Sequence, residues 1–189
     1  MGIAQSPDHH WLYVTSMQRR PGPTASEGIL SVVSLARAET RPADAVVATA
    51  IAGCGPVRVV TSSDGSVVWV TARESNALLA FSAAELRSDP AHSLIAKVAV
   101  GQTPIGAILI DGGKKIVVAD ADIHNPKNAA FNLEVVSTAT ALAGKPALLS
   151  LISSGLLPRQ FVLEAGGKTL LVTNSTSGTL QAVDLAGLP

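Results

Sequence analysis

The chain has 189 residues, 47% of them apolar, 15% charged and 3% aromatic, enough for a sizeable core built with few large rings. Fourteen Lys and Arg balance fourteen Asp and Glu, so no basic footprint exists for a phosphate backbone, and nucleic acid is not expected as a partner. Scarce charge and high apolar content argue against disorder, and the single cysteine, Cys54, excludes an internal disulfide.

The N-terminus reaches Asp8, His9 and His10 without a basic region followed by an apolar run, so it does not read as a secretory signal. The longest weakly charged stretches, residues 45–57 and 146–157, are interrupted by Gly or Pro and are too short to span a bilayer. Val-rich composition with turn residues at their ends reads instead as buried strand.

One unit recurs four times along the chain. Its centre is an apolar strand ending in a small or polar residue: Trp11–Ser16, Val68–Ala72, Ile116–Asp120 and Leu170–Asn174. Matched positions 13, 69, 117 and 171 lie 56, 48 and 54 residues apart. Each central strand follows a tight-turn signal: Ser6-Pro7-Asp8, Ser63-Asp64-Gly65, Asp111-Gly112-Gly113 and Ala165-Gly166-Gly167. Asp-Gly and Gly-Gly supply the positive φ that a hairpin turn needs. In the first unit His9 and His10 stand where Gly is usual.

Three of these turns are preceded by a Gly-x-x-Pro element: Gly53-Cys54-Gly55-Pro56, Gly101-Gln102-Thr103-Pro104 and Gly155-Leu156-Leu157-Pro158. Each Pro is expected to open a strand, where a missing N–H does least harm. A third strand follows each central one, at Leu30–Leu35, Ala77–Phe81, Leu133–Ser137 and Leu180–Leu185. A fourth, at Val46–Ile51, Leu94–Val100 and Ala147–Ile152, leads into the next Gly-x-x-Pro. The unit is thus a four-stranded antiparallel meander. A repeated meander cannot bury both faces alone, and radial stacking of its copies gives a β-propeller; the rival, a β-sandwich, needs no repeats.

In these residues the chain resembles the YVTN-type β-propeller repeats, whose central strand is like Tyr13-Val14-Thr15-Ser16. The resemblance covers essentially the whole chain. Its pattern of Gly-x-x-Pro, turn, Tyr-Val-Thr-Asn-like strand and Val-Ile-Asp-like strand runs from Pro56 to Phe81 and again from Gly155 to Leu185; Val117-Val118-Ala119-Asp120 departs most. It implies an all-β propeller of four-stranded blades. The units fall at about residues 1–53, 54–101, 102–155 and 156–189 of a single partial domain, about 3.75 blades or fifteen strands. On this period a typical seven-bladed ring needs roughly 370 residues, so the chain reads as part of one. Closure by a second copy, a homodimer, is the alternative, because open blades leave edges and apolar faces uncovered.

Ligands of a propeller bind at the face where the second-to-third loops and the Gly-x-x-Pro loops gather around the channel. Two such loops are long, residues 17–27 and 121–131, and each reads as a functional loop or a solvated insertion. At the end of the strand before the second loop and within that loop, Asp120, Asp122, His124 and Asn125 are candidate ligand-binding residues. Asp120, Asp122 and His124 alternate as metal ligands can, but Asn125 replaces the Gly of a calcium loop, Phe131 its last acid, and zinc needs more His or Cys, so no metal is expected. Arg58 and Arg159, after Gly-x-x-Pro elements, are candidates for the channel mouth, where a guanidinium holds carboxylate or phosphate; pairing with loop carbonyls is the structural alternative. His9 and His10 read as turn surface, His92 has no visible partner, and Cys54 reads as a small packed thiol.

No hydrolase elbow, phosphate loop, dinucleotide fingerprint, Cys-x-x-Cys or haem motif occurs, and no cofactor is implied. The resemblance implies two functions. One is a non-catalytic binding scaffold that presents loops around its channel to a small molecule or protein. The other is a lactonase-like hydrolase of sugar lactones, similar to 6-phosphogluconolactonases, with its active site incomplete in this chain. The absence of a matching acid, base and Arg cluster favours the scaffold. A redox propeller needs several channel-facing His, against which four scattered His argue. The family points to a periplasmic or secreted location, which this N-terminus does not mark.

Overall fold

Fifteen strands make up the chain in a computed structural model that describes residues 1–17, 27–122 and 131–189. They fall into four antiparallel sheets, each a meander in sequence order. The first holds β1 (Ile3–Gln5), β2 (Trp11–Ser16), β3 (Glu27–Ser34) and β4 (Val46–Cys54). β5 (Pro56–Thr61), β6 (Val67–Ala72), β7 (Ala77–Ser82) and β8 (Leu94–Ala99) form the second. β9 (Pro104–Ile110), β10 (Lys115–Asp120), β11 (Asn132–Ser137) and β12 (Leu148–Ser153) form the third. The fourth has only β13 (Pro158–Leu163), β14 (Thr169–Asn174) and β15 (Thr179–Asp184). These are about 3.75 blades of a propeller, with the first strands β1, β5, β9 and β13 side by side along its inner wall.

Register sets what each blade shows its neighbours. Tyr13, Trp69, Val117 and Leu171 sit opposite Val32, Ala80, Val135 and Ala182, the same place in each sheet. Strand side chains alternate between faces, so these positions point toward the next blade while Val68, Val70, Ile116, Val118, Leu170 and Val172 point toward the previous one. Three apolar seams result: Tyr13, Leu30 and Val32 against Val68, Val70 and Phe81; Trp69 and Leu78 against Ile116 and Val118; Val117 and Leu133 against Leu170 and Val172. The first seam also carries a guanidinium. Arg87 lies 5.3 Å from the centre of the Trp11 ring and donates a 3.2 Å hydrogen bond to the Tyr13 hydroxyl.

The turns explain several local choices. Gly65, Gly112, Gly113 and Gly167 have positive φ in the hairpins, and His9 takes the same region at +59° in the first blade. Each residue before a strand-opening Pro is also left-handed: Gly55 (+62°), Thr103 (+49°) and Leu157 (+58°). Only the first is glycine, so the other two turns hold strain that the blade contacts offset.

The sequence reading contained no helices, yet three blades place one between third and fourth strands: α1 (Leu35–Thr40), α2 (Ala83–Ser88) and α3 (Thr138–Leu142). The cause is local. Ser34, Ser82 and Ser137 each end a strand and cap the turn that follows, their hydroxyls accepting from the N–H of Arg37, Glu85 and Thr140. Leu35, expected in β3, therefore begins α1. His92 is also corrected: its Nδ1 lies 2.8 Å from Asp89 Oδ2.

Candidate functional site

The inner wall and the strand ends around it carry the candidate residues. Arg58 lies on β5, where a bulge between Pro56 and Val59 shifts the pairing with β6. Its N–H donates to the Thr71 hydroxyl at 3.0 Å. The same bond recurs from Gly2 to Thr15 at 2.7 Å and from Gln160 to Thr173 at 3.2 Å. The threonine of the central strand thus satisfies a donor beside a bulge in blades two and four, and one just ahead of β1 in blade one. By this measure Gln160, and not Arg159, corresponds to Arg58. Spacing agrees: Arg58, Gly106 and Gln160 each stand two residues after the strand-opening Pro and Arg159 only one, so the sequence reading pairs the two arginines by residue type rather than by position.

Blade three has Gly106 at this place, opposite Ala119. A Cβ there would come within 2.8 Å of the Arg159 carbonyl oxygen and 2.9 Å of the Phe161 ring, so the bare wall is enforced. Arg58 of blade two reaches across to blade four and donates from Nη2 to Gln160 Oε1 at 2.7 Å. Partial burial, and then the positive charge of Arg159, lower the pKa of Arg58. Among the described residues neither arginine has a carboxylate partner. Arg58 borders an open groove of about 420 Å³ with Ile3, Val60, Ile108 and Phe161. A groove of about 520 Å³ lies elsewhere, between the outer strands of blades one and two; Ile51, Phe81 and Leu94 line it with no converging charge beyond Lys97.

Asp120 does not face the channel. It ends β10 opposite Pro104 and turns into the seam between blades two and three, 3% exposed, where its carboxyl donates to Glu134 of β11. Burial first, and then the Glu134 charge, push the pKa of Asp120 up to about 8; burial also raises that of Glu134, which accepts from the Gly101 N–H. Asp122, also buried, follows at a positive φ of +37°. His124 and Asn125 lie outside the described residues. Among the described residues no three His, Cys, Asp or Glu side chains gather to hold a metal. His9 and His10 are exposed, and Cys54 is half-buried and outside any disulfide, its backbone N–H donating to the Ser75 hydroxyl at 2.8 Å.

The sequence reading missed Gln160, Gly106 and Glu134. A signal existed for Glu134, an acid inside the apolar run Leu133-Glu134-Val135-Val136.

The fold and this inner wall define a β-propeller segment. No protein-family model matches the sequence, and no curated protein does. Solved structures do match. Hydrazine synthase from Kuenenia stuttgartiensis aligns with a TM-score of 0.72 and 19% identity, over 98% of this chain and 46% of that one. A functionally unknown protein from Desulfotomaculum acetoxidans gives 0.67 and 17%, over 97% and 54%. A "putative 6-phosphogluconolactonase" from Bacteroides uniformis gives 0.61 and 16%, over 96% and 52%. The chain therefore spans about half the length of these proteins, and at such identities the likeness is one of fold. Among the described residues no helix is long and apolar enough to cross a membrane.

Proposed function

We propose that these blades belong to a non-catalytic binding propeller whose inner wall takes an anionic group, carboxylate or phosphate, on Arg58 and Arg159. One observation carries this reading. Two guanidiniums lie within reach of each other's charge, Arg58 donating to the Gln160 side-chain oxygen, with no acid beside either among the described residues. Like charges so placed repel, and an anion between them removes the repulsion and accepts bidentate hydrogen bonds. Gln160 is displaced by the ligand or turns its amide N–H toward it.

The second reading, hydrolysis of sugar lactones, is supported by the fold likeness to the Bacteroides uniformis protein. Its products are carboxylates, so it would use the same arginines, with further groups supplied by other blades. Calorimetric titration with inorganic phosphate and with citrate tests the first reading: saturable binding is expected, falling at least tenfold in Arg58→Gln and Arg159→Gln. No heat from either anion overturns it, and turnover of a sugar lactone by the same chain selects the second.

We read the blades as part of a seven-bladed ring on the YVTN plan. The end faces support this: Ile3 is 63% exposed on the first blade, Val162 and Leu180 are 61% and 65% exposed on the fourth, and contiguous apolar faces of this kind are normally covered. The cover comes from further blades or from a second copy of the chain. Light scattering across a concentration series distinguishes a discrete dimer from a species with open edges.

A further inference from the structure

We propose that Asp120 and Glu134 form a proton-sharing carboxyl pair that latches blade two to blade three, and that removing this proton weakens the seam between them. The geometry comes from comparing equivalent places in the sheets. Glu134 stands opposite Val118 as Gln181 stands opposite Val172, and Asp120 ends its strand opposite Pro104 as Asn174 does opposite Pro158. Blade four thus has an amide pair where blade three has two acids. Asn174 Nδ2 donates to Gln181 Oε1 at 3.4 Å, a bond that requires no added proton. Two carboxylates bring acceptors only, so the corresponding bond in blade three exists only if one of them is protonated.

Two further observations agree. Asn174 Oδ1 and Asp120 Oδ1 are both buried with no hydrogen-bond partner among the described residues. An orphaned carbonyl oxygen costs little beside an orphaned carboxylate oxygen, so Asp120 fits this place as the neutral acid. In both blades a glycine packs on the pair: a Cβ on Gly155 would come within 2.7 Å of Asn174 Nδ2, and one on Gly101 would collide with the Asp120 carboxyl. Gly101 begins the turn that joins the blades. Thr103 N–H of this turn donates to Asn76 Oδ1 of blade two at 2.9 Å, and its Gln102 and Thr103 carbonyls accept from Asp122 and Ala121 at 3.1 and 3.3 Å. The pair therefore sits where blade two, the turn and the chain leaving β10 meet.

Among the described residues no cation offsets a second negative charge. Outside the pair, the charge acting on Asp120 is that of Asp122, another anion. β9 and β12 bring no ionisable group, and Lys115 is at the far end of β10. From blade two, β6 brings none, Lys97 of β8 is registered with Leu79 on the opposite face, and Arg73 and Glu74 pair with each other.

A carboxyl whose pKa is raised by folding binds more protons folded than unfolded, so stability falls as pH rises from the ordinary carboxylate range through about 8. The test follows thermal unfolding of the full chain by Trp fluorescence from pH 5 to pH 9. The parent midpoint should fall by about 5 °C across this range, while Asp120→Asn/Glu134→Gln, which copies blade four, should lose that slope. Should the double variant not fold, Asp120→Asn alone serves, since its amide still donates to Glu134. Infrared spectra at pH 7 supply a second readout: a protonated-carboxyl C=O band in the parent, absent from Asp120→Asn. An unchanged slope in the variant, a flat parent profile, or no such band overturns the proposal.

Discussion

Trp69 and Leu171 occupy the same place in their blades, yet Trp69 is 1% exposed and Leu171 is half-buried. The difference is the neighbour. Blade three covers Trp69 with Ile116 and Val118, whereas blade four's next face is open. Tyr13 and Val117, each with a following blade, are as buried as Trp69. A blade here does not own its core: hydrogen bonds within a sheet fix register, but apolar burial comes from the sheet beside it.

The largest test of that contrast is a matched pair of substitutions. Trp69→Asp buries an unpaired charge in a filled seam and should abolish cooperative melting; Leu171→Asp, on the open face, should leave it intact. Equal damage at both positions would break the comparison. A milder probe is Gly101→Ala, whose Cβ meets the Asp120 carboxyl and should cost about 1–3 kcal/mol by chemical denaturation. Gly112→Ala has open space in its turn, so any loss there comes from its +61° φ alone. A second matched pair sharpens the inner-wall account and ends on the smallest expected effect. Thr71→Val removes the acceptor of the Arg58 N–H in a buried place and should cost about 1–3 kcal/mol. Thr173→Val removes the same bond where water can replace it, and should change stability by less than about 0.5 kcal/mol.

The repeat made the fold legible. Turn glycines, strand-opening prolines and the alternation around Tyr13, Trp69, Val117 and Leu171 are local signals whose order fixes a meander, and all fifteen strands lie where that order puts them. The capped helices after Ser34, Ser82 and Ser137 escaped notice because five or six residues carry too little periodicity to stand out beside strands. The candidate sites were less legible. Arg58 was visible as a charge near the wall, but its Gln160 partner, 102 positions away, depends on how three blades stack over Gly106. Asp120 was visible too, with the wrong surroundings: alternation with Asp122 and His124 suggested a loop ligand, whereas the strand pairing turns it toward Glu134.

Hydrogen exchange followed by mass spectrometry on the native chain tests the central claim most directly. If burial between blades holds this structure together, the amides of β6 and β10, each between two covered faces, should exchange slowest, and those of β14 and β15 markedly faster. Uniform protection across the four central strands, or slowest exchange in the fourth blade, would contradict it.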